Sequence, residues 1–150
     1  MKRFLVALAL AAFALVDAAP AIAQTNVQNT CAPVWSATLT TTTNGSEFEN
    51  RSYRGARFLL DVTAASGTSP SLTVKFQAYD SVTDKWIDVP GAAFTAKTAV
   101  STDDLTIYPG IAATANEKVS DVLPFKWRPV ATISGTTPSF TFKLGVCYAI

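Results

Sequence analysis

The chain has 150 residues, 49% of them apolar and 15% charged, with two cysteines, no histidine and a formal charge of +1. That length suits one domain with or without a processing segment. The missing histidine removes Ser-His-Asp and Cys-His nucleophile systems, HExxH zinc sites and imidazole acid–base work, and a charge near zero leaves no electrostatic footprint for nucleic acid.

Lys2 and Arg3 precede an apolar run from Phe4 to Val16, and Ala21-Ile22-Ala23 closes the segment in small residues. Charged start, apolar middle and A-x-A end predict a secretory signal peptide over 1–23, with cleavage before Gln24. Asp17 cuts the apolar run well short of the roughly 20 residues that a spanning helix needs, so no membrane span is expected after cleavage. The remainder reads as one domain of 127 residues, with an N-terminal arm and first strand over 24–53 and a core over 54–150. It is formally neutral, with ten basic and ten acidic side chains once Lys2, Arg3 and Asp17 are set aside. Its 20 threonines and 11 valines favour pleated sheet over helix.

Val34–Thr40 reads as a first strand, followed by a Thr/Asn/Gly/Ser loop to Arg54. Arg57–Ala64 is a strand with Phe58, Leu60 and Val62 on one face. Ser66-Gly67-Thr68-Ser69-Pro70 reads as a turn. Leu72–Tyr79 then alternates, with Leu72, Val74, Phe76 and Ala78 inward and Thr73, Lys75, Gln77 and Tyr79 outward, as in a half-buried antiparallel strand. Asp80–Lys85 is a turn, and Trp86–Val89 a short strand stopped by Pro90-Gly91. Ala92–Val100 and Leu105–Tyr108 are further strands, with Asp103-Asp104 in a turn between them. Ile111–Pro124 has no helical pattern and reads as a connection. Lys126–Ser134 and Ser139–Tyr148 form a last hairpin with Phe140, Phe142, Leu144 and Val146 on one face. Short strands punctuated by Gly and Pro, without an amphipathic helix, predict an all-β fold: an antiparallel β-sandwich, jelly-roll-like.

The segment Ser66–Lys75 is echoed at an offset of 68 residues by Ser134–Lys143. The matching inward and outward phase predicts two similar hairpins that share one turn. Cys31 and Cys147 lie near the two ends of the domain. In an exported chain without a C-x-x-C motif they pair most simply as one disulfide, although a bridge between chains stays open. The strand phase puts Cys147 on the face opposite Phe142 and Leu144, so the bridge would hold the N-terminal arm against the last strand.

The stretch Leu60–Leu72, with Val119–Pro124 and Ser134–Phe142, resembles small β-sandwich virion proteins of tailed bacteriophages and prophages, of the head-decoration or tail-accessory kind. The similarity covers roughly Arg54 to Tyr148 and rests on turns and strand faces, so it implies a fold and transfers no functional residue. The signal peptide and the terminal cysteine pair depart from that family. Together they point to a domain of this kind used outside the cytoplasm.

Candidate chemistry is sparse, and no cofactor is implied. Asp80, Asp84 and Asp88 recur every four residues around one turn and could supply calcium oxygens. Their spacing is not that of an EF-hand, and Asp is common in turns for local hydrogen bonding. No facing carboxylate pair suggests a glycosidase, and the arginines and lysines are dispersed among acids. Trp86, Tyr79 and Tyr108 are candidates for a sugar-stacking or interface surface, against the alternative that tryptophans fill a core. Asn44-Gly45-Ser46 and Asn50-Arg51-Ser52 match glycosylation acceptors and suggest an exposed loop. Thr38, Thr40 and Thr42 lie in a nearly uncharged, β-prone segment able to add to a neighbour's sheet.

The expectation is therefore a secreted, non-enzymatic structural subunit that self-assembles as a homo-oligomer, filament or lattice. The alternatives are a carbohydrate-binding module at the cell surface and a phage virion decoration or tail accessory protein.

Overall fold

The structure, a computed structural model, describes residues 30–150, and the expected signal peptide lies outside the described residues. The fold is all-β. Its strands are β1 (Cys31–Leu39), β2 (Thr43–Asn44), β3 (Phe48–Glu49), β4 (Gly55–Asp80), β5 (Lys85–Ala93), β6 (Ser101–Ile107), β7 (Lys118–Val119) and β8 (Lys126–Ala149). They form one sheet in the order β1-β8-β4-β6-β7, with β2 and β3 also on β8 and β5 also on β4. All pairings are antiparallel except β6 with β7.

The two long strands β4 and β8 form a ribbon paired from Gly55↔Ala149 to Ala78↔Trp127. The ribbon is folded over on itself. The rings of Phe58 and Phe76 are 4.1 Å apart, yet eighteen residues of extended strand would separate them by about 60 Å. The expected inward faces are all in place: Phe58, Leu60 and Val62, then Leu72, Val74 and Phe76, and on β8 Phe140, Phe142, Leu144 and Val146 are buried in one core. Trp127 fills its centre, stacked on Phe48 and edge-on to Phe58 and Phe76. The result is sandwich-like, with the two halves of a single sheet serving as its layers.

The repeated motifs differ from expectation. Neither Ser66–Pro70 nor Ser134–Pro138 joins two strands that pair with each other, so neither forms a hairpin. The strands run on through both motifs, which pair with each other: Ser66 opposes Ser139, Thr68 opposes Thr136 and Ser71 opposes Ser134. Register shifts on either side of Thr68 make this a doubled bulge, the device that bends a strand and increases its local twist. The 68-residue echo is thus a local two-fold axis through the crest of the folded ribbon.

Each outer edge of the ribbon carries a strip that rounds the same crest. Along β8, β1 pairs from Cys31↔Cys147 to Leu39↔Phe140. The Thr42 hydroxyl then accepts the Ile133 N–H and donates to the Ile133 carbonyl, and β2 and β3 come next. The loop expected before Arg54 thus carries two short edge strands of two residues each. Along β4, β5 pairs with its second half and β6 with its first. Between them Lys97 exchanges both backbone hydrogen bonds with Leu72. Pro90-Gly91 bulges within β5 rather than ending it, and the strand expected to reach Val100 stops at Ala93. Asp103 and Asp104 lie in β6, not in a turn.

Candidate functional site

Cys31 and Cys147 are bonded within the chain, as the sequence suggested. They are register partners on neighbouring strands, so the bridge joins the edge strand to β8 side by side and ties the start of the domain to its end.

Tyr79 and Trp86 are also register partners, which brings their rings to 5.2 Å on the outer face of the second half of the ribbon. β8 adds two cations that sequence reasoning left among dispersed charges. The Lys126 ammonium lies 4.5 Å from the Tyr79 ring centre and Arg128 lies 4.2 Å from that of Trp86. The alternation Lys126-Trp127-Arg128 around a buried tryptophan was the signal for them. These groups continue into a ladder of polar contacts. Lys126 pairs with Glu47 at 2.7 Å, Arg128 donates to Gln77, Gln77 donates to Asp88, and Lys75 pairs with Asp88 at 2.6 Å. The hydrogen bond with Glu47 raises the Lys126 pKa above its ordinary value. Trp86 is therefore half-buried under a guanidinium and acts as a cation–π partner inside a satisfied network.

The three aspartates do not converge. Asp80 accepts from the Val82 N–H and the Thr83 hydroxyl, which lower its pKa. Asp84 accepts the Tyr79 hydroxyl, the main cause of the raised Tyr79 pKa. Asp88 is held by Lys75 and then Gln77, and its pKa is lowered. Each carboxylate serves a separate local partner, and no group of three or more His, Cys, Asp or Glu side chains among the described residues is placed to hold a metal ion.

Tyr108 sits apart from the Tyr79–Trp86 pair, donating to the Ile150 carbonyl under Arg54. Thr38 lies in β1 with its hydroxyl 2.8 Å from that of Thr141, Thr40 is exposed just beyond the strand, and Thr42 is used on Ile133. Asn50, read as part of an exposed acceptor motif, is buried. Its amide donates to the carbonyls of Tyr53 and Leu123 and its oxygen accepts the Tyr53 N–H, so it pins the loop rather than offering it.

A second feature lies on the outer face of the first half. A groove of about 820 Å³ over β1, β8 and β4 is lined by Pro33, Leu59, Gly145 and both cysteines of the disulfide. Its signal in the sequence was Leu59, an apolar residue in the outward phase between Arg57 and Asp61. Among the described residues no helix is long and apolar enough to cross a membrane. Compared with known proteins, the chain matches no protein-family model, no curated protein and no solved structure.

Proposed function

We propose that the chain is a secreted, non-enzymatic structural subunit that self-assembles edge to edge into a surface filament, lattice or virion-like array. The open side of β1 carries this reading. Its nine residues include no charged side chain, and among the described residues no strand pairs with its outer edge. Natural edge strands are ordinarily blunted with charges, because an open row of backbone groups is a template for another strand. Here Pro33 and its bulge protect only the first few residues, and Trp35–Leu39 stays open. The disulfide at the head of β1 holds that template in one register. Antiparallel pairing of two such edges would continue the sheet across a two-fold axis.

Sedimentation and negative-stain imaging of the natively processed protein test this. Concentration-dependent oligomers are expected, and Thr38→Pro, which blunts the open edge of β1, should stop their edge-to-edge growth. A strictly monomeric protein at high concentration overturns the reading.

The paired Tyr79 and Trp86 rings support a second reading, a carbohydrate-binding module. Glycan-array binding that vanishes with Trp86→Ala would establish it, and an array without any binding would remove it. A virion component is the third reading. It rests on the resemblance of Arg54–Tyr148 to phage proteins and requires a retained N-terminus, whereas Gln24 as the first residue by mass spectrometry means export.

A further inference from the structure

We propose that a second copy of this chain packs face to face on the groove around Leu59 and Gly145, across a two-fold axis running along the strands between β4 and β8. The proposal rests on the self-association reading and names a second surface for it.

Leu59 and Gly145 are register partners in the middle of the ribbon's first half. Leu59 faces outward and is 48% exposed, an apolar knob where the neighbouring outward positions of β4 are Arg57 and Asp61. Gly145 is the matching hole. Glycine inside a strand weakens it and often marks the close approach of another backbone or ligand. No backbone conformation demands this one, since its φ is not among the positive ones. Nor does internal packing, because an added β-carbon would meet nothing nearer than the Ala32 carbonyl at 3.8 Å. The dent it leaves is open to the outside.

One row further along, Asp61 and Lys143 are also register partners, opposite in charge and side by side. They form no ion pair with each other or with any other described residue. Asp61 accepts the Thr102 hydroxyl instead. A two-fold axis parallel to the strands, midway between β4 and β8, places β4 of one copy over β8 of the other. Leu59 of each copy then seats over Gly145 of the other, and Asp61 of each faces Lys143 of the other. One rotation satisfies both the shape and the charge, which is what favours a second copy over a foreign partner. Combined with pairing through β1, a second isologous interface carries assembly past the dimer, into a closed dihedral assembly where the two axes intersect and an open chain where they do not.

The test is sedimentation equilibrium in a Thr38→Pro background, where the edge is blocked without a charge added to the face. The expected result is a dimer. Asp61→Lys and Lys143→Asp alone should each weaken it at least tenfold, while the double exchange, or an equimolar mixture of the two single variants, restores it. Gly145→Val, whose β-carbon has room in the fold, should also give monomers without lowering the thermal midpoint, since valine favours a strand. A monomer in the Thr38→Pro background overturns this interface, whatever glycan or foreign protein later proves to bind there. So does a dimer indifferent to both charge reversals, or one that the double exchange fails to restore. If the unsubstituted protein still forms oligomers in those cases, pairing through β1 stands and only the face falls. If it is monomeric throughout, both fall.

Discussion

Gly67 and Gly135 pack reciprocally at the crest of the folded ribbon. A β-carbon on Gly67 would lie 2.7 Å from the Thr137 carbonyl oxygen, and one on Gly135 would lie 2.7 Å from that of Ser69. Their φ angles are +115° and +120°, a region that side chains other than hydrogen avoid. Ser69 and Thr137, two residues on, share a φ of +48°. Both backbones therefore need the same conformation for the same reason, which is the close crossing of two strands at a bend.

Gly67→Ala and Gly135→Ala should each lower stability by about 2–4 kcal/mol, from steric clash and a strained φ together. Because the two glycines serve one crossing, the losses should be nearly equal, and the double variant should lose less than their sum. Urea unfolding of the three variants checks this. A mild, unequal pair of effects would mean that the crest relaxes independently on its two strands.

What the sequence made legible, and what it hid, divides at this crest. The inward sets of Phe58, Leu60 and Val62 and of Phe140, Phe142 and Leu144 were readable because each strand buries one face, and a period of two betrays it. Ser66–Pro70 reads as a hairpin turn because the same Gly and Pro chemistry serves both a hairpin turn and a bulge. The choice between them is made by a partner 68 residues away. Asn50 reads as exposed for a similar reason, since its role depends on Leu123. Tyr79 and Trp86 could be placed together from one local hairpin, but the Lys126 and Arg128 that cover them arrive from β8.

Asn50→Ala should cost about 2–3 kcal/mol. The side chain is 8% exposed and satisfies the Tyr53 and Leu123 carbonyls as well as the Tyr53 N–H. Removing it strands those groups in a place that water reaches poorly. Asn50→Asp should be nearly as costly, because a carboxylate cannot donate to two carbonyls. Mass spectrometry of the protein expressed in a glycosylating host should find Asn50 unmodified.

Reducing the Cys31–Cys147 bridge, or replacing both cysteines with serine, should cost about 4–5 kcal/mol in the chain-entropy account, given the 116-residue separation. For a domain of this size that is a fall of about 10–20 °C in the melting midpoint. The loss should fall first on β1, whose amides lie on the edge of the sheet, so hydrogen exchange after reduction should accelerate there before it does in β4.

Stability should hold level across the neutral range and fall at both ends of the pH scale. On the acid side, Asp80 and Asp88 have pKa values lowered in the fold, the first mainly by the Val82 N–H and the second mainly by Lys75. A lowered folded pKa means the unfolded chain binds the proton first. Their contribution is thus present above the ordinary aspartate value of about 3.9 and is lost as the pH falls through the lowered folded values. On the alkaline side, Lys126 is raised by Glu47, Tyr79 by Asp84 and Tyr148 by burial. There the unfolded chain releases its proton first, so the contribution is full below about pH 10 and disappears as the pH climbs through the raised values. Thermal melts between about pH 2 and 11 should show both limbs. Asp88→Asn should flatten the acid limb without moving the alkaline one. Glu47→Gln should do the reverse, because it removes the partner that holds the Lys126 proton. An Asp88→Asn profile that parallels the parent below about pH 4 would show that the Lys75–Asp88 pair is too well screened by water to matter.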